Sequence, residues 1–297
     1  MHFTTINLNE NGKVNGWKKE SDEMKFNEES IVSYHQKDDN KEDYIILLEI
    51  SFQNYALVTV GAPVLALIID FLLGFSLDYQ QILAYDWACG PVNIPSFSRI
   101  INLPKERIIW NAAVLFHLPL RFLLVLTNYR ICRIPSNEVY NQKVHEALSQ
   151  IIILSGLVEI LMVLLLTVIG EREETHQLHG THFNWHVYFF MTFALSSAVH
   201  FAVITATYRK SKHYVEHFNG HWGFKLKFYL TLVYIALLPV TFIFFAMYWM
   251  LCYNFAYDFF ALSEYLLILV NYAFHASVIY DCDDIYQFKM PKHWKNA

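Results

Sequence analysis

Six apolar stretches of about 20 residues recur along the 297-residue chain, at about 53–75, 109–129, 146–169, 186–208, 227–250 and 258–280. A helix rises about 1.5 Å per residue, so roughly 20 residues cross a hydrocarbon core of about 30 Å. Lipid offers no partner to backbone N–H and C=O groups, and continuous apolar runs are therefore expected to be helical. The runs do not alternate, which argues against a barrel. The fold expected is all-α: a polytopic membrane protein, a bundle of six transmembrane helices. Composition agrees, with 55% hydrophobic, 17% aromatic and only 16% charged residues. Nothing in this balance calls for a nucleic-acid partner.

Lys and Arg are unevenly shared between the two sides. The second connection (Arg130, Arg133, Lys143), the fourth (Arg209, Lys210, Lys212, Lys225) and the tail (Lys289, Lys292, Lys295) are rich in them. The first holds Arg99, Lys105 and Arg107, the third Arg172, and the fifth none. The positive-inside bias then makes both termini cytoplasmic. Residues 1–50 are polar and acidic, without a basic start followed by a short apolar core. They are expected to be a disordered cytoplasmic extension, not a cleaved signal peptide, with the first span as signal anchor. Residues 51–285 form the six-helix transmembrane domain, and 286–297 a cytoplasmic tail.

The four cysteines contain no C-x-x-C pair, so no zinc-ribbon or thioredoxin-like motif is present. Cys89 and Cys252 fall on the non-cytoplasmic side, where a disulfide is topologically open to them. The long first connection, DWACGPVNIPSFSRIINLPKER, lacks a G-x-S-x-G elbow, and reads as an interfacial cap more than a catalytic loop around Ser96 and Ser98. His176, His179, His182 and His186 in the third connection do not match usual metal-ligand spacing and read as a solvated interfacial loop.

The sharper signal lies inside the spans. His117 and Arg121 stand four residues apart on one face of the second span, Glu159 is in the third, His200 in the fourth, and Glu264, Asn271 and His275 in the sixth. An ionisable side chain at membrane depth costs roughly 2.5–3.5 kcal/mol even on lenient insertion scales, so such groups face the bundle interior and find partners. At about 100° per residue, Glu264, Asn271 and His275 form one polar stripe. Arg121 is the natural counter-ion for Glu159 or for a ligand phosphate. Three readings are open: structural glue between helices, a lined interior site, and a zinc site from His117, His200 and His275. No close ligand pair supports the last, and neither metal nor cofactor is expected.

Several of these residues carry a likeness. Cys89–Gly90 and Pro95–Ser96, the HLPLRFLL run, Glu159, His200, the EYLLILVNYAFH run and Asp281 together resemble the post-GPI-attachment-to-proteins factor 2 family. This is the wider group of FGF-receptor-activating-protein and autophagy-modulator type membrane proteins, and the likeness covers about residues 50–285. The long acidic N-terminal extension departs from it. The resemblance implies a Golgi membrane protein, with the endoplasmic reticulum as a second location. Its implied role is fatty-acid remodelling of GPI anchors, at reacylation of lyso-GPI with a saturated chain, supporting surface display of GPI-anchored proteins.

Acyl transfer needs a base for the lyso-lipid hydroxyl, stabilisation of the oxyanion and a cleft open to lipid. His200 or His275 would be the base, Glu159 or Glu264 the carboxylate orienting a histidine. His117, Arg121 and Asn271 would bind substrate, with Arg121 on phosphate or developing charge. The alternative is a non-catalytic factor that recognises GPI or lyso-GPI among the membrane lipids and assists a separate acyltransferase. No paired broken helices point to a transporter.

Overall fold

The structure is a computed structural model that describes residues 3–6, 44–83, 89–136, 141–170 and 185–291. In chain order its elements are β1 (Phe3–Ile6), β2 (Tyr44–Ser51), α1 (Phe52–Ser76), α2 (Tyr79–Leu83), α3 (Phe97–Ile101), α4 (Pro104–Arg133), α5 (Gln142–Ile169), α6 (Trp185–Arg209), α7 (Lys212–Glu216), α8 (Gly220–Leu251), α9 (Asn254–Ala276) and β3 (Ile285–Pro291). Six helices, α1, α4, α5, α6, α8 and α9, are long and apolar enough to cross a membrane; a short 3-10 turn extends the last to Tyr280. The six-helix expectation stands. Contacts divide the chain into two compact units, Met1–Tyr55 with Cys282–Ala297, and Ala56–Asp281.

The first unit is a three-stranded antiparallel sheet in the order β1-β3-β2. β2 pairs with β3 from Tyr44↔Pro291 to Ser51↔Ile285, with a register irregularity between Ile46 and Leu48. The Phe52 N–H donates to the Asp284 carbonyl at 2.9 Å, and the Phe52 ring packs on Tyr286 at 5.6 Å. Most of the extension expected at residues 1–50 lies outside the described residues. Where it is described, YIILLEIS is a strand, as a run of Ile and Leu behind a Tyr favours. The stretch expected as a tail supplies that strand's partner.

The second unit is the helical bundle. α5 packs on α4 and α6, and α8 on α6 and α9. Apolar side chains such as Leu65, Leu154, Ile243 and Leu269 point outward, whereas Asp70, Arg121, Glu159, His200 and Lys227 are buried. This is the arrangement lipid demands, because a polar group inside the bundle keeps protein partners that hydrocarbon cannot provide. Pro104 opens α4, where its missing N–H would have no intrahelical partner. Pro63, Pro119 and Pro239 sit inside α1, α4 and α8. α8 ends at Cys252 in the left-handed region, φ 51°, and Cys252 forms a disulfide with Cys89.

The first connection is strapped to α9. Asp258 accepts from the backbone N–H groups of Asn93 and Ile94, both at 2.9 Å, and from Asn93 Nδ2 at 2.8 Å. Tyr265 donates its hydroxyl to the Pro95 carbonyl. Glu264 Oε2 accepts from the Phe97 N–H at 2.8 Å, and Ser96 Oγ from the Arg99 N–H. The first N–H groups of α3, which have no intrahelical acceptor, are thereby satisfied. The expected cap is thus a built wall of the bundle.

Candidate functional site

Glu159 is the centre of the interior cluster. On α5 it is fully buried, and its Oε1 receives Arg121 Nη2 of α4 at 2.6 Å, Asn271 Nδ2 of α9 at 2.7 Å and Ser197 Oγ of α6 at 2.8 Å. One carboxylate oxygen therefore joins four helices. His275 Nε2 lies 3.2 Å from the same oxygen and also contacts Arg121 Nη2. Which contact is a hydrogen bond depends on the tautomer: Nε2 accepts from the Arg121 guanidinium when the proton is on Nδ1 and donates to Glu159 when it is on Nε2.

The other two histidines are held through Nδ1. Ser155 Oγ gives its single proton to the Ile151 carbonyl at 2.6 Å, so toward His200 Nδ1, 3.0 Å away, it accepts. That leaves the lone pair on His200 Nε2, a buried atom with no hydrogen-bond partner among the described residues. His117 Nδ1 donates to the Thr59 carbonyl of α1 at 2.5 Å, and among the described residues its Nε2 also has no hydrogen-bond partner. The His200 and His275 rings stack with centroids 5.7 Å apart. Nε2 of His117, Nε2 of His200 and Oε2 of Glu159 are thus buried without a hydrogen-bond partner among the described residues.

A partly open cavity adjoins this cluster. Arg121 and Asn271 line it, with Glu264, Ser98, Thr167 and His186 as its other polar groups; its apolar wall includes Phe97, Trp110, Leu166, Phe190 and Ile268. The residues come from α3, the first two-thirds of α4, the end of α5, the start of α6 and the middle of α9, so the cavity lies in the half of the bundle where α3 sits. Glu159, His200 and His275 stand behind Arg121 and Asn271 and do not line it.

Of the residues singled out in the sequence, Arg121, Glu159, Asn271, His275 and His200 come together. His117 lies one turn from Arg121 but is tied across to α1. Glu264 is separate from the cluster, capping α3 and facing the cavity. His186, read as part of a loop, is in the first turn of α6 and lines the cavity; His176, His179 and His182 lie outside the described residues. Among the described residues no group of three or more His, Cys, Asp or Glu side chains converges on a metal position. Sequence reasoning missed Ser155 and Ser197. The one signal available was spacing, for Ser155 precedes Glu159 by four residues and Ser197 precedes His200 by three, on the same helical faces. It also missed the ion pair of Lys227 with Asp281, to which Tyr208 donates at 2.8 Å and beside which Lys227 donates to Ser277 at 3.0 Å.

Residues 51–285 match the profile of the Frag1/DRAM/Sfk1/Cwh43P N-terminal domain. The chain belongs to this family. The Frag1 match covers all six apolar helices and both halves of the interior cluster. A Drosophila melanogaster protein described as "Post-GPI attachment to proteins factor 2-like" is 22% identical over 236 residues, 78% of this chain and 69% of that one. A Caenorhabditis briggsae protein described as "Post-GPI attachment to proteins factor 2" is 26% identical over 79% of this chain and 87% of its own. A Danio rerio protein described as "Acyltransferase PGAP2" is 28% identical over 46% of this chain and 57% of its own length. No solved structure matches the chain.

Proposed function

We propose that this Frag1-family protein acts in GPI-anchor remodelling, holding a lyso-GPI lipid in the α3-side cavity while a saturated acyl chain is restored to it. The observation that carries this reading is the cavity itself: a largely apolar chamber ending on a buried Arg121–Glu159 pair. Apolar walls suit an acyl chain, and a guanidinium suits a phosphodiester or a developing oxyanion. The relatives' descriptions, which name GPI attachment, support a GPI lipid as the substrate class. By the Lys and Arg distribution the α3 side faces the lumen, in the Golgi or the endoplasmic reticulum, with both termini cytoplasmic.

In the catalytic form of this reading the lyso-lipid hydroxyl oxygen attacks the carbonyl carbon of an activated acyl donor. An ester bond forms, the bond to the donor's leaving group breaks, and the hydroxyl proton passes through a histidine to that leaving group. His200 Nε2 holds the lone pair such a step requires, Glu159 fixes Arg121, and Arg121 faces the charge.

A second reading is favoured by one specific observation: His200 and His275 stand behind the cavity wall, whereas Arg121 and Asn271 line it. The cluster then recognises the lipid phosphate, and a separate acyltransferase performs the chemistry. Purified protein in nanodiscs, given lyso-GPI and an acyl thioester, separates the two. Transfer that falls at least a hundredfold in His200→Gln, with lyso-GPI binding retained, supports catalysis. Binding lost in Arg121→Gln, with no transfer by wild type, supports recognition. Absence of both binding and transfer by a folded wild type refutes the GPI assignment.

A further inference from the structure

The opposite end of the bundle carries a second surface. The connections after α4 and after α6, remote in sequence, are stitched together there. The Ser136 N–H donates to the Lys210 carbonyl at 2.8 Å, the Lys212 N–H donates to the Ile134 carbonyl at 2.8 Å, and Pro135 pairs with Ser211. The bridge joins the end of α4, which carries Arg133, to the end of α6, which carries Arg209 and Lys210; Lys143 near the start of α5 and Lys225 near the start of α8 lie at the same end of the bundle. All five are exposed. The acidic residues described at this end of the bundle are Glu146, Glu216 and Asp281; Glu216 is engaged by Lys212 at 3.4 Å, and Asp281 is buried in its pair with Lys227. Large apolar side chains stand out among these charges: Phe218 is 71% exposed, Trp222 59% and Ile134 56%.

The positive-inside bias accounts for cations at such an end, but not for their gathering across two bridged connections, nor for aromatic side chains left standing among them. Trp and Phe beside Lys and Arg, at the ends of membrane-spanning helices, are the chemistry of the headgroup layer. Aromatic rings settle at its apolar boundary while cations reach anionic phosphate.

We propose that this end of the bundle is a docking surface for anionic phospholipid headgroups of the adjoining leaflet. Arg133, Lys210 and Lys225 contact the phosphates, and Trp222 and Phe218 seat in the interfacial layer. Charge complementarity selects the occupant, and the surface shares no residue with the cavity, so its fate is independent of the GPI reading.

The test uses full-length protein in nanodiscs of phosphatidylcholine with a minor fraction of phosphatidylserine. Lipids retained after release are read by native mass spectrometry. Wild type is expected to retain phosphatidylserine in excess over its share of the disc, and high salt to abolish the excess. At roughly fivefold per cation, Arg133→Gln/Lys210→Gln/Lys225→Gln is expected to lower the excess at least about tenfold. Should the triple variant unfold in neutral detergent, Lys210→Gln alone is expected to show about a fivefold loss, since only the Lys210 backbone makes the bridge. Equal retention by wild type and variant overturns the proposal. So does an excess that survives these substitutions and vanishes in Arg121→Gln, which assigns the lipid to the cavity.

Discussion

At the scale of single residues, the Arg121–Glu159 pair distinguishes a functional cluster from helix glue. Removing one partner of a buried ion pair strands the other, at a cost of about 3–5 kcal/mol, whereas replacing both with apolar residues is often close to neutral. Arg121→Leu is therefore expected to lower the melting temperature in detergent sharply, and Arg121→Leu/Glu159→Leu to recover most of the loss. If the cluster serves a lipid, the double variant remains inactive despite its restored stability; recovered activity assigns the pair to glue. Gly156 sets the space for His200. A Cβ there would stand 2.7 Å from a Val125 methyl and 3.0 Å from His200 Cε1, so Gly156→Ala is expected to destabilise by about 1–3 kcal/mol. Thermal unfolding of the purified variant checks it. The pairing of Arg121 with Glu159 was legible because charge at membrane depth leaves few partners. The two serines were not singled out, since a hydroxyl in a span is cheap and common and its role depends on what the next helix brings opposite.

At the scale of elements, α3 and the strap that carries it depend on side chains of α9. Asp258→Ala strands the N–H groups of Asn93 and Ile94, and an unmet buried donor costs about 1–3 kcal/mol. Because these groups are only partly buried, the lower end of that range is expected, seen as faster proteolysis within residues 89–101 at nearly unchanged bundle stability. Glu264→Ala removes the acceptor of the Phe97 N–H and is expected to loosen the cavity wall, read as weaker lipid binding. The existence and order of the six spans were legible, with ends displaced by up to seven residues, since length and continuous apolarity are nearly sufficient to specify a transmembrane helix. The strands flanking them were not, because β2 and β3 are brought together by residues more than two hundred positions apart. The stripe of Glu264, Asn271 and His275 was also legible, but not its division of labour: the helix carries Glu264 to α3 and the other two to Glu159.

At the scale of the whole molecule, orientation remains a proposal with a direct test. A cysteine placed at the exposed position of Lys210 is expected to react with an impermeant maleimide only from the cytosolic face of intact vesicles; labelling from the luminal face reverses the topology. The Cys89–Cys252 disulfide has a bearing on biosynthesis. Its cysteines are 163 residues apart, and Cys252 follows the fifth spanning helix, so the bond cannot close until nearly the whole chain has been synthesised and four intervening helices have been threaded. In the proposed orientation, the Cys89 thiol is until then exposed to the oxidising machinery of the lumen and to its retention systems. Oxidation is thus a record of completed assembly, and a pulse-labelled chain should acquire its compact, faster-migrating form on a non-reducing gel only late, in step with release from quality control.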